Sequence, residues 1–397
     1  MQISSTSHLS FCTNIYSGES WEDLRKSLPR IRAVREQLGH AGPFGLGLRL
    51  SAQAAQEMAG PQVGTFREWL ADNDCYVFTL NGFPYGAFHD TVVKDQVHRP
   101  DWTTRERVTY TIQLFDLLSQ LLPTGVDGGI STSPLSYRPW FTTAEAVRRA
   151  TEQCVRHLME VVLHLARIKA RTGQSLHLDL EPEPDGLIET SQEFVDFFEN
   201  EVLTTGLDWL QRQLGTTPTL AEATIREHLC LCWDVCHFAV GFESPAEVLR
   251  RLRAAGINVG KLQLSAALGL QLSADRAADR ALLQPYDEPT YLHQAVLRSA
   301  EGLTRFPDLA PALAALDDAR YTELRTHFHV PIYANRYGRL LSTNDDIAAT
   351  LLRWKDDPFT QHLEVETYTW DVLPDHQRLG LDESIARELK WVLAQLR

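Results

Sequence analysis

The chain has 397 residues, 44% hydrophobic and 23% charged, enough apolar material for one large barrel or two smaller domains. Its formal net charge of −14 makes the average surface repel phosphate backbones, so no nucleic acid partner is expected. The opening residues lack a basic start followed by a long apolar run, and no stretch holds eighteen uninterrupted apolar residues, so the expectation is a cytoplasmic protein with no membrane span. Six cysteines without a CxxC pair argue against a disulfide framework. Cys230, Cys232 and Cys236 cluster in sequence, and they read as small buried strand residues in preference to zinc ligands.

In chain order, short apolar or alternating runs at 8–14 and 44–50 predict the first two strands. A third at 75–81 leads into the stretch 81–102, where Phe83, Tyr85, Phe88, His89 and Trp102 predict an ordered loop over a barrel mouth. A fourth strand at 129–132 precedes a long helix, 142–171, with Ala, Val, Leu and Ile at helical spacing. A fifth strand at 176–181, a capped helix at 191–214, a sixth strand at 229–234 and a helix at 244–255 after Ser-Pro follow. A seventh strand lies at 261–265. The segment 268–325 is expected to insert extra helices before THFHVPIY, itself a loop or short strand beside the site. An eighth strand at 363–368 and a last helix at 384–396 complete the set. Eight strands alternating with helices predict an α/β chain folded as one (β/α)₈ barrel, a single domain over 1–397 with a long loop at about 82–102 and the insertion at about 268–325.

In such a barrel the strand tops face a common axis, and here they are acidic. SLHLDLEPEP places His177, Asp179 and Glu181 on one face, with Glu181 uppermost, while Leu176, Leu178 and Leu180 take the other. LCLCWDVCH ends on Asp234, with His237 three residues on; KLQLS aligns Lys261, Gln263 and Ser265; HLEVETYTW aligns Glu364 and Glu366. The fifth to eighth strands would thus each supply a donor: Glu181, Asp234, Gln263 and Glu366. Clustered carboxylates repel one another and raise one another's pKa, a conflict that a cation removes. An oxygen-rich shell suits Mg²⁺ or Mn²⁺, and imidazoles from His237, His327 or His329 would admit Zn²⁺, Fe²⁺ or Co²⁺. In an extended HFH, His327 and His329 share a side. His177, in mid-strand, reads as a satisfied interior histidine.

The set Glu181, Asp234-x-x-His237, a polar seventh-strand residue and Glu366 resembles the metal-binding pattern of the xylose-isomerase-like superfamily of sugar isomerases, epimerases and endonuclease-IV-type enzymes. The resemblance implies a divalent metal and, by position, Glu181 and Glu366 as an acid/base pair that also binds it. His327-Phe328-His329 resembles the loop that carries further ligands in the endonuclease-IV type. The superfamily's usual seventh-strand histidine is replaced here by Gln263. Across nearly the whole chain, HLSFCTNIYSGESW, FTLNGFPYGAFHDTVVKDQVHRPDW, GGISTSPLSYR, YLHQ and HLEVETYTW resemble the metabolite-traffic EboE family of bacterial Ebo gene clusters, which implies a small-molecule role among other Ebo-cluster proteins.

The expectation is therefore isomerisation or epimerisation of a sugar- or cyclitol-type carbonyl compound, one glutamate removing the α-proton and the other returning it beside a polarising cation. Asn14, Asn81, Phe83, Tyr85, His89 and Trp370 are candidate substrate contacts, with Lys261 an electrophile if it reaches the cavity. The alternative is a non-catalytic metabolite-binding or traffic protein that keeps the metal site.

Overall fold

The computed structural model describes residues 1–89, 91–371, 373 and 380–397. Strands β1 (His8–Phe11), β2 (Phe44–Arg49), β3 (Cys75–Asn81), β4 (Gly128–Thr132), β5 (Leu176–Leu180), β6 (Leu229–Asp234) and β7 (Val259–Leu264) alternate with helices. Six strands then fall within 266–342: β8 (Ala266–Gln271), β9 (Ala295–Ser299), β10 (Gly302–Phe306), β11 (Glu323–Val330), β12 (Arg336–Tyr337) and β13 (Leu340–Ser342). The chain returns to the first sheet as β14 (His362–Val365).

The first sheet has the order β1-β14-β7-β6-β5-β4-β3-β2, and every described pairing in it is parallel. A parallel bridge between Cys12 and Gly47 joins its two outer strands, so the sheet curls into a nearly closed barrel. This is the expected (β/α)₈ architecture, each predicted barrel strand lying within a few residues of the observed one.

The alternation explains which side chains face which way. Leu176, Leu178 and Leu180 join the buried apolar layer under the helices, as do Leu229, Leu231, Leu262, Leu264, Leu363 and Val365. The intervening residues point into the barrel. Lys261 on β7 donates across it to the Leu80 carbonyl (3.1 Å), Ser131 Oγ (3.2 Å) and Glu364 Oε1 (3.0 Å). The middle of the barrel is therefore polar, unlike the aliphatic layers common in this architecture, while Phe78 packs against His8 and His362 near its floor.

The outer helices are closed by local chemistry. Ser20 and Asp23 form a capping box at the start of helix Trp21–Leu38, Thr190 and Glu193 do the same for Ser191–Phe197, and left-handed Gly173 ends Ala144–Thr172. Among the described residues, no helix is long and apolar enough to cross a membrane.

The second sheet, β10-β9-β11-β8-β13-β12, is antiparallel in its described pairings. The insertion thus differs from the helical one expected: helices Arg276–Leu283 and Leu309–Ala314 are present, but four strands share the segment. Short Leu- and Ala-rich runs such as Ala266–Gln271 fit either period, and their partners decide the outcome. Of the two readings of THFHVPIY the strand holds: its first five residues end β11, paired with β8 and β9.

Candidate functional site

The carboxyl-terminal strand ends gather what the sequence scattered. Glu181 follows β5 and Glu366 follows β14, both buried, and Asp234 ends β6 with no exposure. Asp234 also caps the short helix Val235–Val240: its Oδ1 accepts from the His237 backbone N–H (3.2 Å) and from Ser265 Oγ (2.5 Å). The Asp-x-x-His spacing thus turns His237 onto the side of the Asp234 carboxylate, its Nε2 3.8 Å from Oδ2.

His327 and His329 arrive from the second sheet. The β11–β8 register shifts between Thr326 and His329, a bulge that re-aims the strand at the barrel mouth. Their rings lie 5.4 Å apart, and that of His327 is 4.6 Å from His237.

The hydrogen bonds assign the tautomers. His237 Nδ1 meets the Pro182 carbonyl at 2.9 Å, and His329 Nδ1 meets the Glu366 carbonyl at 2.8 Å. His327 Nδ1 meets Gln294 Oε1 at 2.9 Å, the amide being oriented by donation from Gln294 Nε2 to Pro184 O (3.0 Å). Each partner only accepts, so each Nδ1 carries a proton, and in the neutral ring each Nε2 is the acceptor and ligand atom. His237 Nε2 and His327 Nε2 are 3.1 Å apart. His329 Nε2, Glu181 Oε2 and Asp234 Oδ2 are buried with no hydrogen-bond partner among the described residues. Ligand atoms of Asp234, His237 and His329, and likewise those of Glu183, His237 and His327, fall within 4.8 Å of one another. This mixed imidazole and carboxylate set fits a divalent cation.

The electrostatics agree. Burial, then the charges of Glu366, Asp234 and Glu183, push the Glu181 carboxyl well above the usual range. Burial, then Asp234 and Glu364, does the same to Glu366. Burial, reinforced by His237 and His329, holds His327 well below its ordinary value, and burial lowers His329 to about 4. Both rings stay neutral, as ligands must be.

Glu366 is held differently from Glu181. Its Oε1 accepts from Asn14 Nδ2 (2.7 Å) and Asn81 Nδ2 (2.9 Å), and its Oε2 from Gln263 Nε2 (2.5 Å). Gln263 therefore presents nitrogen to the site, while its oxygen accepts from the Cys232 thiol at 2.6 Å. That corrects its expected role: in this orientation Gln263 positions Glu366 and has no lone pair to offer a metal.

A cavity of about 540 Å³, counted out to its opening, covers the cluster. Asn14, Asn81 and Phe83 line it with Glu181, His237, His327, His329 and Glu366. Four expected substrate contacts do not. Lys261 is locked in its ion pair with Glu364, and Tyr85 packs edge-on against Tyr110. His89 stands behind the wall, its Nε2 on the Asn14 carbonyl and its Nδ1 3.1 Å from the Tyr291 hydroxyl, and Trp370 is core. The sequence reading missed Glu183, His98, Tyr291, Gln294 and Tyr368, all at the cavity wall. Glu183 was signalled by the second glutamate of EPEP and Gln294 by YLHQ; His98, 3.0 Å from Glu183 Oε1, sits in VHRPDW.

The three cysteines close in sequence are buried but stand apart, Cys230 and Cys232 in β6 and Cys236 in the helix after it. Cys236 lies near His327 and His329, Cys230 near His177 and Asp179 at the other end of the barrel, and Cys232 between them on Gln263.

No model of a known protein family matches the sequence, and no curated protein matches it. Solved structures do match. A xylose isomerase-like TIM barrel protein from Mycobacterium smegmatis in complex with magnesium aligns with a TM-score of 0.51 at 12% identity, covering 100% of this chain and 98% of that one. The IolI protein with a bound zinc atom aligns at 0.50 and 12% identity, covering 98% of each chain. The fold is a xylose-isomerase-like (β/α)₈ barrel. At these identities the likeness establishes the fold, and the chemistry of this barrel rests on its own residues.

Proposed function

We propose that this xylose-isomerase-like barrel is a divalent-metal-assisted isomerase or epimerase of a small polyhydroxylated carbonyl compound of sugar or cyclitol type. One observation carries the reading: ligand atoms of Asp234, His237 and His329, and of Glu183, His237 and His327, lie within 4.8 Å of one another beside the buried Glu181, at a cavity that Phe83, Phe88 and Leu292 also line. The bound zinc and magnesium of the two structural neighbours accord with it. Asp234, His237, His327 and His329 would hold the cation with Glu181, which we retain as ligand and proton-transfer group. When bound, the cation polarises a substrate carbonyl and stabilises the negative charge that develops on its oxygen.

The side chains divide the remaining work. Glu181 Oε2, free of hydrogen bonds and raised in basicity by burial, takes the α-proton. Glu366, fixed by three amides, faces the same cavity and returns a proton. The aromatic wall receives the carbon face of the substrate and keeps water from the reacting carbon. Proton transfer and charge stabilisation would each contribute about a hundredfold or more in rate.

A second reading has its own support. With both oxygens of Glu366 already tied by three amide donors, this carboxyl is less free to relay a proton, which favours a metabolite-binding or traffic protein of the Ebo type, working with other Ebo-cluster proteins in a cytoplasmic secondary-metabolite pathway. Deuterium wash-in separates the two. Metal-loaded protein incubated in D₂O with a panel of ketoses and inososes should label the α-carbon of the substrate, read by NMR. A compound that binds tightly while no member of the panel exchanges would overturn the enzyme reading in favour of the carrier.

A further inference from the structure

The opposite, amino-terminal mouth of the barrel carries a second cluster that the proposed chemistry does not use. Asp127 immediately precedes β4, His177 is the second residue of β5 and His362 the first of β14. Their ligand atoms lie within 4.8 Å of one another. We propose that these three side chains form a structural zinc-type cation site, separate from the upper mouth.

The spacing is that of ligands. His177 Nε2 is 3.7 Å from Asp127 Oδ2, and His362 Nε2 is 3.3 Å from Asp127 Oδ1. Both exceed the usual length of a good N–H···O hydrogen bond, about 2.7–3.2 Å. Two tetrahedral ligands each about 2.0–2.1 Å from zinc stand about 3.3–3.5 Å apart, close to both values. His362 is fully buried, and the nitrogen it turns toward Asp127 and the cluster is Nε2.

The surroundings are built for one ring orientation. His177 Nδ1 is 2.6 Å from Asp179 Oδ1, the carboxylate–histidine arrangement that points the other nitrogen at a metal. Backbone shape protects that pair. A Cβ at Gly129 would stand 2.3 Å from His177 Cε1, and one at Gly260 would stand 1.9 Å from Asp179 Oδ1 and 2.6 Å from His177 Nδ1. Only glycine at both positions leaves room for the histidine and its orienting carboxylate. An open cleft lined by Asp127, Ser175, His177 and Gly260 supplies an entry path and a place for a water ligand. Bound there, a cation would tie the starts of β4, β5 and β14 together across the barrel floor.

The rival occupant is a proton on His177, which would make the cluster a salt bridge with no affinity for metal. Crystals of the full chain soaked in zinc and measured at the zinc edge should show an anomalous peak between His177 and His362, and the peak should vanish in His362→Gln while any peak at the upper mouth persists. In solution, zinc bound per chain should fall by one ion in that variant, and the zinc-induced rise in melting temperature should shrink. If His362→Gln does not fold, Asp127→Asn at the partly exposed ligand gives the same test. No peak at the lower mouth in zinc-saturated wild type, or a peak and uptake undiminished in a folded variant, overturns the proposal. Either result is independent of the upper site, because the peaks are located separately.

Discussion

Glu364 in β14 and Glu366 just beyond it face the same barrel interior, yet they meet opposite conditions. At mid-height Glu364 is balanced: Lys261 pairs with it at 3.0 Å and Ser10 Oγ donates at 3.3 Å. At the mouth, Glu366, Glu181 and Asp234 converge with histidines and amides, and no lysine or arginine among the described residues lines the cavity. The middle layer carries its own counter-charge, so it serves the fold. The mouth has no such counter-charge among the described residues, an imbalance that the proposed cation would relieve.

The largest expected effect attacks the balanced half. Lys261→Met leaves Glu364 charged and alone in the interior and should cost about 3–5 kcal/mol, read by urea denaturation, with a much smaller loss in the double variant Lys261→Met/Glu364→Leu.

Next comes a third buried carboxylate, Glu388 of helix Leu381–Leu396, which has neutral donors alone: Thr367 Oγ1 at 2.8 Å and the Ile332 N–H at 3.1 Å. Burial raises it to about 8, against 4.5 for the free side chain, while the two hydrogen bonds work the other way. Because the folded value is the higher one, the stability it confers is complete below pH 4.5 and lost as pH climbs through about 8. Glu388→Gln should therefore flatten the decline between those limits by on the order of 3 kcal/mol, measured as unfolding free energy against pH.

At the unbalanced half the sign reverses. Glu181→Gln should stabilise the metal-free protein by about 1–2 kcal/mol, since one of the repelling charges is gone. Both Glu181→Ala and Asp234→Ala should abolish the uptake of metal at the upper mouth, followed by elemental analysis; full occupancy in both would refute the ligand set. The smallest effect belongs to Gln263→Met, which leaves Glu366 one donor short at a cost of about 1 kcal/mol and should not change the number of ions bound.

The barrel was legible because period-two alternation survives in most of its strands: SLHLDLEPEP announces both the inward polar file and the outward leucines. Glu181, Asp234 and His237 were legible for the same reason, each standing at a strand end or one helical turn past it. Gln263 misled because its position is right while its orientation is set by Glu366 and Cys232, two neighbours from other strands. Tyr85 and His89 lie in a loop whose path is chosen by tertiary partners, and no local pattern says which side of it meets the cavity. Glu183 was passed over because proline on either side hides the alternation that flagged Glu181.

The bulged strand β11 has one more consequence. Two of the three upper imidazoles, and the glutamine that orients one of them, belong to the inserted segment, whereas the acidic partners belong to the cylinder. A slight hinge of the insertion would carry His327 and His329 together, preserving their mutual spacing while opening a gap toward Asp234 and Glu181. The upper mouth is in this sense a clasp with two jaws, and an ion held there would latch the smaller sheet to the larger.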